Sequence, residues 1–214
     1  VPLFNEAAVI ATVIDNALSV FPHIVCVDDG SSDDSAARAR AAGAVLVRHP
    51  INLGQGAALQ TGIDYAVAQP SCDYVVTFDA DGQHLVTDAQ AMVARLVSEP
   101  LDVVLGSRFL DDRTQIGWLK RLVLRTAVLF QRASAGIELT DAHNGLRAFT
   151  RAAAASIEIS QNRMAHASQI VSEIAKKKLR YAEQPVHVVY TDYSRAKGQS
   201  LWNSINILVD LFLN

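Results

Sequence analysis

The sequence predicts an α/β fold with a mostly parallel central sheet and helices on both faces. Three observations carry this. Short apolar runs rich in Val and Ile recur at residues 24–27, 44–47, 74–78 and 103–105, and such runs read as strands buried on both faces. Segments with apolar residues at three- and four-residue steps lie between the runs, the spacing of helices with one core-facing side. Each of three runs ends in a polar turn carrying glycine or carboxylates, where an open α/β sheet places its ligands.

Taken in order, Val9, Ile10, Val13, Ile14, Ala17 and Leu18 form the apolar face of a first helix. Ser31-Ser32-Asp33 offers capping oxygens to a helix over 36–42, and Gly43 ends it. Helices over 57–68 and 88–97 repeat the scheme. The second half differs, with a long, basic helical pattern over 118–135, a polar stretch over 141–147 and a helix around 164–178. A strand over 181–190 follows, which Pro185 places near a sheet edge. Residues 200–213 read as an amphipathic helix, with Leu201, Ile205, Leu208, Val209 and Phe212 on one side. With no repeat or linker, the economical reading is a single domain over residues 1–214.

The chain has 214 residues, half of them hydrophobic, enough for one substantial core. A net charge of −3 argues against a nucleic-acid partner, which would call for a basic stripe. Any acidic ligand must therefore meet local cations or a metal. Cys26 and Cys72 sit in or beside apolar runs and read as small buried hydrophobes in a reducing, cytosolic setting. No apolar run reaches the 18 residues of a membrane span. Val1-Pro2 reads as the tail of a strand and Phe212-Leu213-Asn214 stops within a pattern, so both ends are expected to be trimmed. Sequence beyond residue 214 is then a place for a membrane element.

Asp79 and Asp81 follow an apolar strand at i and i+2. Two such carboxylates repel each other unless a cation lies between them, and oxygen ligands beside a diphosphate suit Mg²⁺ or Mn²⁺. Gly82 allows a close turn, and Gln83 and His84 are further ligand candidates. The competing reading is a solvated turn with acidic caps. Asn52-Leu53-Gly54-Gln55-Gly56 opens a helix and would offer phosphate its free N–H groups; a tight strand-to-helix turn explains the glycines equally well. Arg108, Arg147, Arg195 and Lys197 are the cations placed to meet phosphate, and each also reads as a solvated surface charge.

Together these stretches resemble glycosyltransferase family 2, and within it the dolichol- and polyprenyl-phosphate sugar synthases. Val1-Pro2-Leu3-Phe4-Asn5-Glu6 resembles the family's V-P-x-Y/F-N-E, and Asp28-Asp29-Gly30-Ser31-Ser32-Asp33 its D-D-G-S-x-D. Residues 52–57 are similar to N-x-G-x-G-A, and Asp79-Ala80-Asp81-Gly82-Gln83-His84 to D-A-D-x-Q-H. Gly106-Ser107-Arg108 and Asn144-Gly145-Leu146-Arg147-Ala148-Phe149 match G-S-R and S-G-F-R-A-F in the family's order. The resemblance implies a GT-A fold, with Pro2, Asn5, Glu6 and Asp28 lining a nucleoside pocket, Asp29 beside it and Gly54 near the donor. It assigns Asp79, Asp81 and Gln83 to the metal and diphosphate. Arg108, Arg147, Arg195 and Lys197 would meet donor or acceptor phosphates. Asp81, Asp141 and Arg147 are the implied catalytic groups, Asp141 on the acceptor side.

The chain departs from the pattern in three places. Gln55 stands where many relatives carry lysine, and Asn144 where serine is common. Where relatives place a glutamate in the helix near residue 166, Gln169 and Glu173 are the substitutes at hand. The ending around Arg195 and Lys197 is similar to a bacterial subgroup.

The implied reaction is an inverting, metal-dependent transfer from a nucleoside-diphosphate sugar (a UDP-sugar favoured over GDP-mannose) to a polyprenyl phosphate. Its setting would be the cytoplasmic face of the plasma membrane. The alternatives are a transferase using a sugar hydroxyl in surface polysaccharide synthesis and a non-catalytic nucleotide-sugar-binding module. The stripe on 200–213 would face the sheet, a second subunit in a homodimer, or the membrane, and an accessory membrane protein is another route to anchoring.

Overall fold

The computed structural model describes residues 1–111, 137–141, 143–162 and 165–190. The helical patterns at 118–135 and 200–213, together with Arg195 and Lys197, lie outside the described residues. The order of elements is β1 (Pro2–Leu3), α1 (Ile10–Leu18), β2 (Val25–Asp28), α2 (Ser35–Ala41), β3 (Val45–Arg48), α3 (Gln55–Val67), β4 (Tyr74–Thr77), α4 (Val86–Ser98), β5 (Val103–Ser107), β6 (Arg147–Thr150), α5 (Arg151–Ser156), α6 (His166–Lys176) and β7 (Tyr181–Pro185).

β1, β2 and β3 form a parallel sheet in that order. A second sheet runs β4-β6-β5-β7, in which β6 is antiparallel to both neighbours and β5 and β7 are parallel. The predicted α/β architecture is present, but the sheet is more mixed than expected, because a strand starts at Arg147, the last residue of the polar stretch, and runs on through residues for which no element is predicted. In β6 the side chains alternate between faces, and Arg147 occupies a buried position at its start. Its charge hides the period-two pattern, in which Phe149 joins one hydrophobic cluster and Leu146 and Ala148 the other.

Helices cover both faces of the second sheet. Val103, Leu105 and Phe149 pack with Leu59 and Ile63 of α3 and Ile170 and Ile174 of α6. Val104 and Ala148 pack with Ala89, Met92 and Leu96 of α4. Against the first sheet, α1 buries Ile10, Ile14 and Ala17 on Leu3 and Cys26; each large aliphatic side chain so buried contributes roughly 1.5–3 kcal/mol.

The predicted burial of every strand on both faces fails at β3, where Val45 and Arg48 are exposed and Leu46 and Val47 half-buried. β3 is the edge of its sheet, and period alone does not distinguish an edge from a centre. The strand predicted over 181–190 stops at Pro185; β7 is an edge strand, followed by a lone bridge between Val188 and His84. The cap of α2 also differs: Asp34 is the capping residue without a side-chain bond, while Asp33 Oδ1 accepts from Ser35 N at 2.9 Å.

Candidate active site

The carboxyl ends of β1, β2 and β4 converge on one cavity of about 420 Å³, with Pro2, Glu6, Asp29, Gly54, Asp79 and Asp81 in its wall. A larger cavity of about 550 Å³ lies between β2 and β4. Its lining is mainly aliphatic and aromatic and includes none of Asp29, Asp79 and Asp81.

Local hydrogen bonds explain why these turns hold their shape. Asn5 sits at φ 52 in the left-handed region, which asparagine tolerates better than most residues. Its N–H donates to Ser31 Oγ at 3.0 Å, and its Oδ1 accepts from Ser32 N at 2.9 Å. Glu6 N donates to Ser35 Oγ at 2.7 Å. Asp28 is fully buried; Oδ1 accepts from Ser31 N and Oδ2 lies 3.0 Å from Arg48 Nε. Of the residues assigned to a nucleoside pocket, Asn5 and Asp28 are therefore not in the cavity lining; they brace its wall.

The glycine-led helix start does not offer a free row of donors. Leu53 N and Gly54 N donate to the two oxygens of Asp29, at 2.9 and 2.8 Å, and Gly56 N donates to Asn162 O at 3.0 Å. A Cβ on Gly56 would lie 2.0 Å from Gln161 O, and one on Gly54 2.1 Å from Asn162 O. Close backbone approach of 161–162, rather than phosphate, accounts for both glycines.

Asp79 is the centre of the charged network. Its Oδ2 accepts from His84 Nε2 at 3.0 Å and its Oδ1 from Gln55 Nε2 at 3.3 Å. The backbone of Gly145 comes so close that a Cβ there would lie 2.1 Å from Asp79 Oδ2. Burial pushes the Asp79 pKa up, but the His84 hydrogen bond and the charges of His84, Arg147 and His166 outweigh it and hold the carboxyl below its ordinary value. Asp81 goes the other way, to about 6, through burial and then the like charge of Asp79. Two carboxylates in this relation fit a divalent cation. Among the described residues no group of three or more His, Cys, Asp or Glu side chains is placed to hold an ion. The donor set is thus two carboxylates with the remaining positions left to water and phosphate, as Mg²⁺ and Mn²⁺ prefer. Gln83 is buried and outside the cavity lining, so it does not join the pair; its N–H donates to Asp81 Oδ1 at 3.0 Å. His84 orients Asp79 rather than facing the cavity.

The basic groups are also placed differently from a phosphate cradle. Arg147 is 2% exposed and interacts with the charges of both Asp79 and Asp141. Burial brings its pKa down to about 10 against those two carboxylates, and among the described residues its Nη1 has no hydrogen-bond partner. Arg108 grips Asp141 through Nε at 2.6 Å and Nη2 at 2.7 Å, and Asp141 is buried. Burial opposes the Asp141 charge, but Arg108 holds the carboxyl below the ordinary carboxylate range. Asn144 adds a reason for the departure from serine, since Oδ1 accepts from Leu146 N at 2.9 Å while Nδ2 reaches Asp141 at 3.5 Å.

Sequence reasoning missed Glu183, which accepts from Thr140 N, Thr140 Oγ1 and Asp141 N and so fixes the turn that presents Asp141. It also missed His49, which binds Asp29 at 2.8 Å. A lone histidine just after a strand, or a lone glutamate within one, carries no pattern that separates it from a solvated one. Gln169 is engaged with the backbone of Glu158, Ser160 and Gln161, and Glu173 pairs with Lys177 at 2.8 Å. Neither is presented to the cavity.

The glycosyl transferase family 2 profile matches residues 1–157. An uncharacterised protein of Methanocaldococcus jannaschii is 33% identical over 218 residues, covering 100% of this chain and 89% of its own. The UDP-N-acetylglucosamine–dolichyl-phosphate N-acetylglucosaminyltransferase of Methanococcus voltae is 27% identical, covering 100% of this chain and 93% of its own. Polyprenol monophosphomannose synthase of Mycolicibacterium smegmatis is 30% identical over 75% of this chain and 63% of its own. Among solved structures, glucosyl-3-phosphoglycerate synthase from Mycobacterium tuberculosis, in complex with Mn²⁺, UDP and phosphoglyceric acid, superposes with a TM-score of 0.70 at 20% identity. The match covers 98% of this chain and 75% of that one, and bears on the fold.

Proposed function

From the premise that the chain belongs to glycosyl transferase family 2 and is a glycosyltransferase, we propose that it transfers a sugar from a nucleoside-diphosphate sugar to a polyprenyl phosphate, with inversion. A UDP-sugar is the favoured donor and GDP-mannose the second. The observation that carries the reading is the Asp79–Asp81 pair in the wall of a cavity that Pro2, Glu6 and Asp29 also line. Asp79 and Asp81 would hold Mg²⁺ or Mn²⁺, which when bound supplies positive charge to the departing nucleoside diphosphate. Pro2, Glu6, Asp29 and Gly54 bound the donor, with Asn5 and Asp28 bracing the turns behind them. The buried Arg147 interacts with the charges of Asp79 and Asp141.

The acceptor class follows from Asp141. A sugar hydroxyl needs a carboxylate able to take its proton, and a carboxyl locked to Arg108 and held below its ordinary range is a poor base. A phosphate monoester has a second pKa near about 6 and arrives already charged, so orientation against the anomeric carbon is what remains to be supplied. Relatives named for dolichyl phosphate and polyprenol phosphate support the same choice. Arg195 and Lys197, beyond the described residues, are proposed to meet that acceptor phosphate. A lipid acceptor places the work at the cytoplasmic membrane surface; among the described residues no helix is long and apolar enough to cross a membrane.

Thermal-shift titration tests the donor side. A ligand at a hundred times its Kd stabilises by about 2.7 kcal/mol, or roughly 5–10 °C for a domain this size. UDP-sugars with Mn²⁺ are expected to produce that shift, GDP- and dTDP-sugars a smaller one, and EDTA should remove it. Absence of a shift with every nucleotide sugar contradicts the reading.

A further inference from the structure

Behind the cavity wall, three elements meet at one histidine. His49 follows β3, and its N–H donates to Asp28 O at 2.9 Å at the end of β2. Its Nδ1 lies 2.8 Å from Asp29 Oδ1, and its Nε2 lies 3.0 Å from Thr61 Oγ1 on α3. The carboxylate can only accept, so Nδ1 carries the proton; in the neutral ring Nε2 then accepts from the Thr61 hydroxyl. His49 and Asp29 are both buried, at 8% and 3% exposure, and neither His49 nor Thr61 lines the cavity.

The segment from Pro50 to Leu53 depends on this arrangement. All four residues are exposed, Ile51 at 64% and Leu53 at 41%, so apolar burial does little to hold them. The segment is held instead by Asp29, which accepts from Leu53 N and Gly54 N, and by its fit over Gly30, where a Cβ would come within 2.8 Å of Asn52 N. Asn52 and Gly54 face the cavity alongside Asp29. The carboxylate that anchors the loop is itself oriented by His49, and His49 by Thr61.

We propose that His49 and Thr61 are positioning residues for the donor nucleoside: the chain Thr61–His49–Asp29 sets the 50–54 loop and hence the shape of the nucleoside end of the cavity. The inference rests on the nucleotide-sugar reading above. Its consequence is selective. Loss of the relay loosens nucleoside binding, while Asp79 and Asp81, held by His84 and Gln83, keep their places.

The test uses the whole chain with Mn²⁺ and compares Thr61→Val, Thr61→Ser, His49→Asn and His49→Leu. Calorimetry measures the Kd of UDP and of GDP, transfer assays separate donor KM from kcat, and melting temperature reports the fold. His49→Leu and Thr61→Val are expected to raise the nucleotide Kd and donor KM on the order of tenfold, with kcat falling by less than about threefold. His49→Asn, which keeps a donor for Asp29, and Thr61→Ser, which keeps the hydroxyl, should recover most of the loss. If His49→Leu does not fold, Thr61→Val and its serine rescue carry the test. Unchanged Kd in folded variants, or a fall in melting temperature and kcat with Kd intact, overturns the proposal alone. Failure of the unmodified protein to bind any nucleoside diphosphate overturns it together with the functional reading.

Discussion

Replacing Asp81 with alanine or asparagine is expected to lower Mn²⁺-stimulated sugar transfer by at least about a hundredfold, a loss comparable to removing one preorganised electrostatic group from an active site. Among the described residues Asp79 and Asp81 are the pair whose charges act on each other in the cavity wall, so losing one halves the charge this pair offers an ion. Instability should not explain the loss. In metal-free protein the Asp81 pKa stands at about 6, raised by burial and the neighbouring Asp79 charge. A carboxyl whose folded pKa exceeds its unfolded value binds its proton more tightly when folded, so its contribution to stability falls as pH rises from about 4 through 6. Asp81→Asn removes that penalty and is expected to stabilise the metal-free protein at pH 7, on the order of 1 kcal/mol after solvent screening. Urea titration in EDTA beside a transfer assay in Mn²⁺ checks both halves. A variant that keeps its activity, or that loses activity and stability together, contradicts the role given to Asp81.

The second large effect is structural. Asp141→Ala is expected to cost about 3–5 kcal/mol, because it leaves Arg108 buried without its carboxylate, and Arg147 loses one of its two acidic neighbours. The pH dependence has a definite sign. Asp141 has a folded pKa below its ordinary value of 3.8, despite burial, because Arg108 favours the charged form. Its stabilisation is therefore complete above the unfolded pKa and lost as pH falls through the lower, folded value. Denaturation of wild type and Asp141→Ala at neutral pH should show the full difference, and the two curves should draw together below about pH 4. A difference that persists unchanged into acid would mean that the ion pair is not its source.

These two carboxylates also mark what was legible in the sequence. Asp79 and Asp81 could be read because a short apolar run stops abruptly at two spaced acids, and the structure puts both in one cavity wall with Pro2, Glu6, Asp29 and Gly54. Asp141 could be named but its state could not, since the guanidinium that claims it is 33 residues away and buries with it. The same limit applies to β6. Its pairing with β4 and β5 is set by long-range register, and an arginine at its first position reads locally as the end of a loop. Gly54 and Gly56 were correctly seen as special, but their reason, the backbone of Gln161 and Asn162, lies more than a hundred residues downstream. Local period and turn chemistry reveal where ligands gather; they do not reveal which polar groups are already spent on each other.

The most direct test of the proposed reaction is to follow both products of one incubation. The chain, Mn²⁺, UDP-sugar labelled in the sugar, and a polyprenyl monophosphate are expected to give label in the organic phase with stoichiometric release of UDP. GDP-mannose is the donor to try in parallel, with GDP as the co-product. Label confined to the aqueous phase with either donor, or release of UMP in place of UDP, would contradict transfer of a sugar onto a polyprenyl phosphate.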